Sequence, residues 1–128
     1  MKENDHFQQE FTVSKKIYDL FIEAFEDRNP LHTETEFAKS KSFEGKVMHG
    51  AILVGFLSKF IGECLPVKNV IVQSYTIHFA KPVYMNRKLL FEAVVSGIYE
   101  SVNSAEFKYT FKNETDTVAK GKVNISLI

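Results

Sequence analysis

The chain has no tryptophan, a single cysteine and three prolines in 128 residues. With one cysteine, Cys64, an intramolecular disulfide is excluded, and a reducing cytoplasm is the expected setting. No repeat, low-complexity tract or Pro/Gly-rich linker divides the sequence. Residues 1–128 therefore read as one domain, long enough to bury about two-thirds of its unfolded surface. Charge of one sign is also missing: sixteen Lys and Arg balance sixteen Asp and Glu. With no basic tract, nucleic acid is excluded as the main partner. The longest helix-like apolar stretch, Ala51 to Leu65, is too short to span a bilayer and carries Lys59 and Glu63. The polar start, Met1 to His6, leads into no apolar run, so neither a signal peptide nor a membrane partner is expected. In this setting the Asn-x-Ser/Thr sequons at Asn113 and Asn124 are chance matches. What is present is core material: 45% apolar residues, twelve of them phenylalanine.

The most informative stretch is Asp27-Arg28-Asn29-Pro30-Leu31-His32. On an unbroken helix, side chains five residues apart diverge by about 140°. Pro30 prevents that geometry, because its ring fixes φ, removes an N–H and pushes Asn29 toward an extended conformation. The chain must turn, which lets Asp27 and His32 face a common point. A carboxylate and an imidazole around one water form a general acid–base pair. Asn29 is expected to order the turn through side-chain-to-backbone hydrogen bonds.

Around this loop, Phe7 to Val13 reads as a strand. Ser14 reads as the N-cap of a helix with an apolar stripe of Ile17, Leu20, Phe21, Ala24 and Phe25. Thr33 to Glu36 has capping-box spacing, predicting a short helix through Phe37 and Lys39. Residues 40–48 form an irregular crossing segment. From about Gly50 to Cys64 the pattern predicts a long helix, apolar on nearly every face and hence central. Then the period changes. Asn69 to Ala80, Leu89 to Tyr99, Ala105 to Phe111 and Val118 to Leu127 are rich in Val, Ile, Phe and Tyr. Ile71, Tyr75, Ile77 and Phe79 are expected to share one face of the first of these strands. Turns are expected at residues 85–87, 101–103 and 112–116. The result is an α+β domain, an antiparallel meander curled around one buried helix in the hot-dog arrangement, whose unpaired sheet edges favour dimerisation.

These residues resemble the MaoC-like dehydratases, the (R)-specific enoyl-CoA hydratase group of the hot-dog superfamily. The resemblance runs from about Phe21 to Tyr84 and is carried by Asp27-x-Asn29-Pro30-Leu31-His32, Phe37-Ala38, Phe43 and Val47-Met48-His49-Gly50. Ser58 and Phe79-Ala80-Lys81-Pro82-Val83 also correspond. It implies that Asp27 and His32 hold and activate water, that the Gly50 amide binds the thioester carbonyl, and that Ser58 supports the site from the central helix. It further implies a homodimer with the site between subunits. Two departures stand out. Phe25-Glu26 replaces a Ser/Thr-Gly pair before the aspartate, narrowing the approach to the loop, and Met85-Asn86-Arg87-Lys88 replaces a Gly-Asp turn.

The chemistry is coherent. Adding water to a 2-enoyl thioester, or removing it from a 3-hydroxyacyl thioester, puts negative charge on the carbonyl oxygen. Unsatisfied amides at a helix N-terminus suit that charge, and glycine permits close approach. The expected substrate is an acyl thioester of coenzyme A or acyl carrier protein, with no cofactor. Lys39, Lys41 and Lys46 on the segment leading to Gly50 are candidates for meeting the phosphates of coenzyme A. Phe43 and Asn29 are candidate substrate-binding residues. His49 is another, although a structural role at the helix start weighs more for it. The other reading of Ser58 is a buried helical serine bonded back to its own turn. No set of histidines and carboxylates has metal-ligand spacing, so no metal is expected. Two other readings stay open: hydrolysis of the thioester, and a non-catalytic subunit that only binds it.

Overall fold

The structure, a computed structural model, describes residues 1–128. Strand β1 (His6–Thr12) leads into α1 (Lys15–Phe25), and Ser14 caps that helix by accepting from the Ile17 amide at 3.2 Å. Two short helices follow, α2 (Pro30–Thr33) and α3 (Thr35–Ser40), then an irregular segment and α4 (Gly50–Lys59). Strands β2 (Val70–Phe79), β3 (Lys88–Tyr99), β4 (Ser104–Lys112) and β5 (Thr117–Leu127) complete the chain. The fold is α+β, a five-stranded antiparallel sheet curled around α4, as in hot-dog proteins. No helix is long and apolar enough to cross a membrane.

The strand order is β1-β3-β4-β5-β2. Only β3, β4 and β5 form the expected meander. Strand β2 pairs with β5 at the far edge, so the turn at 85–87 belongs to a crossover and not to a hairpin. Local turn signals report a reversal of the chain but not which strand it rejoins. Strand β2 differs in a second way. Its register shifts between Val72 and Ser74. Such a bulge flips side-chain alternation. Ile71 lies opposite Ser126, whereas Val72 lies opposite buried Ile125 and Tyr75 opposite buried Val123. The inward face of β2 is thus Val72, Tyr75, Ile77 and Phe79, and Ile71 points the other way.

The core lies between the sheet and one side of α4. Ile52, Leu53, Phe56 and Leu57 pack with Phe91, Phe107 and Phe111, and Phe11 stacks on Phe56 at 4.6 Å between ring centroids. The long central helix differs from expectation on two counts. The α-helical part ends at Lys59, and Phe60–Cys64 continue as a π-helical turn. Ala51, Gly55 and Ser58 lie exposed on its outer side, so the helix is half covered within one chain. The capping box at Thr33 is not used either. Glu34 is the N-cap of α3, and the Thr33 hydroxyl donates to the carbonyls of Arg28 and Asn29 instead.

Candidate active site

Helix α1 ends in a left-handed turn at Glu26 (φ 59°, ψ 24°), whose amide bonds back to the Ile22 carbonyl. This C-cap position ordinarily takes glycine. Two side-chain turns then shape the loop. The Asp27 carboxylate accepts from the Asn29 amide at 3.2 Å, and Asn29 Oδ1 accepts from the Leu31 amide at 2.9 Å. Asn29 is extended (φ −53°, ψ 135°) and Pro30 opens α2, as proline geometry requires. Asn29 is exposed and does not line the cleft described below; its side chain is committed to the turn.

This local geometry turns Asp27 and His32 toward each other, and His49 joins them from the start of α4. One ligand-type atom from each of the three lies within 4.8 Å of the others. Their backbone partners assign the histidine tautomers. His32 Nδ1 lies 2.7 Å from the Val47 carbonyl and His49 Nε2 lies 2.9 Å from the Asp27 carbonyl. A carbonyl only accepts, so both of these nitrogens carry protons. His32 is left with a free lone pair on Nε2. His49 is left with one on Nδ1, which is buried and meets no donor. The two rings lie 4.0 Å apart between centroids and are tilted by 30°, and the three side chains together have the spacing of a metal-binding group, which the sequence spacing does not suggest.

His49 is only 3% exposed, sandwiched between His32 and Phe21, whose ring lies 4.6 Å away. Neither it nor Asp27 is among the residues lining the cleft, which His32 and Gly50 do line. Buried behind His32, His49 reaches only the main chain of the loop. Its side chain does not cap α4 either. Tyr18, on the same side of α1 as Phe21, was not legible as a site residue. Its hydroxyl donates to the His32 carbonyl at 2.5 Å. Burial, reinforced by nearby Asp19, pushes the Tyr18 phenol above its ordinary value, so the hydroxyl stays a donor well past neutrality.

His32 and Gly50 line one cleft of about 470 Å³, together with Phe43, Phe79 and Pro82. The first α4 amide with a backbone partner is that of Ile52, bonded to the His49 carbonyl at 3.1 Å. The amides of Gly50 and Ala51 precede it and lack an intrahelical acceptor, as in any first turn. A Cβ on Gly50 would come within 2.8 Å of Phe79 Cζ, so the bare backbone is what leaves room beside that ring. The cleft can therefore hold an oxygen near open amides and a water near a histidine lone pair.

Two expected residues lie elsewhere. Ser58 is about 12 Å along α4 from Gly50, given a rise of 1.5 Å per residue. It lines a separate apolar cleft of about 710 Å³ with Leu20, Phe25 and Tyr75. Lys46 does not line the His32 cleft, since its ammonium sits 5.5 Å over the Tyr18 ring.

Several known proteins resemble this chain in sequence or fold. A model of the MaoC like domain family matches residues 1–119. The chain is 31% identical over 96 residues to the (R)-specific enoyl-CoA hydratase of Aeromonas caviae, covering 72% of this chain and 72% of that protein. It is 26% identical over 121 residues to a mitochondrial 3-hydroxyacyl-[acyl-carrier-protein] dehydratase of Arabidopsis thaliana, covering 92% of this chain and 72% of that one. The solved structure of the (R)-hydratase from A. caviae involved in PHA biosynthesis superposes with a TM-score of 0.91 at 22% identity, covering 100% of this chain and 98% of that one.

Proposed function

The chain belongs to the MaoC-like domain family, and from that premise we propose that it is a hydro-lyase acting on acyl thioesters. It adds water to a 2-enoyl thioester, or removes it from the (R)-3-hydroxyacyl thioester. The observation that carries this reading is the meeting of Asp27 and His32, with His32 on the same cleft as the open amides of α4. In the hydration direction the Asp27 carboxylate and His32 Nε2 hold one water. As its oxygen bonds to the β-carbon, its proton passes to this pair. A proton returned from the same pair to the α-carbon completes the addition on one face. Charge gathers on the thioester oxygen, where the Gly50 amide donates; removing one such donor typically costs about 2.7–4 kcal/mol in the transition state. The polarised thioester and the acid–base pair suffice for these steps, so the reading needs no cofactor or metal.

Phe43 and Phe79 contact the substrate near its thioester. Lys46 swings from the Tyr18 ring to meet the carrier, which is coenzyme A or acyl carrier protein. We read residues 1–128 as one cytoplasmic domain that works as a homodimer. Edge strand β2 presents Tyr75 and Phe79 about half exposed, at 47% and 48%. Beside them lies the apolar cleft between α1 and α4. A second copy seated along β2 covers both, and brings Ser58 to the seam in a supporting role.

The test is a spectrophotometric assay with short 2-enoyl-CoA substrates and chiral analysis of the product. Asp27→Asn and His32→Ala should each lose ~10²–10⁴-fold in rate, the usual share of acid–base catalysis. Full activity in both would remove the assignment. Release of free thiol would instead mark a hydrolase.

A further inference from the structure

We propose that Tyr18 and His49 are positioning residues that set the spacing of Asp27 and His32 by holding the main-chain carbonyls of those two residues. This rests on the reading of Asp27 and His32 as the acid–base pair. The Glu26 amide ties the near end to Ile22 and Val47 ties the far end at Leu31 and His32 Nδ1, and beyond these each reacting residue has one buried side-chain donor on its own carbonyl. Asp27, Arg28 and Asn29 are exposed, and the hydrogen bonds of the Asx turns are internal to the loop. The Tyr18 hydroxyl reaches the His32 carbonyl at 2.5 Å and His49 Nε2 reaches the Asp27 carbonyl at 2.9 Å. Both donors are buried, at 6% and 3% exposure, and their rings lie 5.9 Å apart. They form one block, built from α1 and the start of α4, with a donor under each reacting residue.

The unpaired nitrogen of His49 supports the assignment. Satisfying the Asp27 carbonyl alone would not require an imidazole, since a water or a hydroxyl would serve beside an exposed loop. An imidazole leaves Nδ1 buried without a donor, an arrangement that folded proteins mostly avoid and that calls for an explanation at each occurrence. The ring does two things that a water cannot. It donates along a fixed direction into Asp27, and it lays a flat face 4.0 Å from the His32 ring, fixing the plane in which His32 presents Nε2. Uncompensated local features of this kind concentrate at functional sites. Tyr18 needs no such defect, because its one donor is used and its ring is covered by Lys46.

Tyr18→Phe removes one oxygen and leaves the packing in place. It should lower kcat at least tenfold while KM for a 2-enoyl-CoA substrate stays within twofold and the melting temperature moves little. His49→Leu should do the same, and His49→Gln, whose amide can still donate, should recover part of the rate. Because both residues act on one loop, the double variant Tyr18→Phe/His49→Leu should lose less than the product of the single losses. The proposal is overturned if Tyr18→Phe keeps wild-type kcat, or if His49→Gln is no better than His49→Leu. That result beside an inactive Asp27→Asn leaves the hydratase reading intact. Full activity in Asp27→Asn and His32→Ala would strike the hydratase reading instead.

Discussion

His32 and His49 lie against each other, 4.0 Å between ring centroids and tilted by 30°, with opposite nitrogens tied to the main chain: Nδ1 of the first to Val47, Nε2 of the second to Asp27. The pair should therefore show opposite tautomers in long-range proton–nitrogen NMR spectra, with the proton on Nδ1 in His32 and on Nε2 in His49. A His32 ring protonated on Nε2 alone would deprive the proposed base of its lone pair and contradict the mechanism.

Gly50→Ala tests the oxyanion side. The added methyl would sit 2.8 Å from Phe79 Cζ, which is the free end of a half-exposed ring and can swing away. Folding should survive, with the melting temperature close to wild type. The displaced ring and the new methyl then crowd the cleft, lowering kcat/KM by about tenfold or more, equivalent to about 1.4 kcal/mol. An unaltered kcat/KM would mean that the thioester does not approach this amide.

Much of the site was legible because its determinants are local. Pro30 and Asn29 dictate the turn that brings Asp27 round to His32, and Ser14 marks the start of α1 within one helical turn. What escaped was set by distant parts of the chain. The place of β2 beside β5 depends on pairing across the whole second half, and its bulge depends on fitting that partner. Tyr18 lies outside the apolar stripe read for α1, and a hydroxyl aimed at a carbonyl fourteen positions away leaves no local pattern. His49 was noticed beside Gly50, but the direction of its ring comes from α1. The outer side of α4 carries an apolar sequence yet lies exposed in one chain, because sequence pattern registers burial without saying which molecule provides the cover.

Glu26 offers a stability prediction. It holds a left-handed conformation that strains any residue with a Cβ. Glu26→Gly should raise stability by about 1 kcal/mol, less the extra freedom that glycine gains in the unfolded chain. Thermal unfolding of the variant at neutral pH checks this, and a lower melting temperature would refute it.

Tyr109 predicts the alkaline limit. Its hydroxyl donates to the Thr76 carbonyl at 2.6 Å, and burial, helped by Tyr75, pushes its phenol from 10.0 up to about 12. The fold holds this proton more tightly than the unfolded chain does. The associated stability is complete below about pH 10 and is lost as pH rises toward about 12, a contribution of order 2 kcal/mol. Tyr109→Phe removes that titration, so its stability should fall less steeply across this window, while at neutral pH it gives up a hydrogen bond worth about 1 kcal/mol. Parallel curves for the two proteins in alkaline denaturant melts would rule this out.

Strand β2 ends the sheet with unspent backbone donors and acceptors next to Val72, Tyr75 and Phe79. In the homodimer proposed above a second copy covers that rim; uncovered, it is an adhesive strip of the type that seeds misassembly. Yield in a host should thus depend on how fast copies encounter one another. Charged substitutions on the rim would trade quicker solubility for a chain left permanently single.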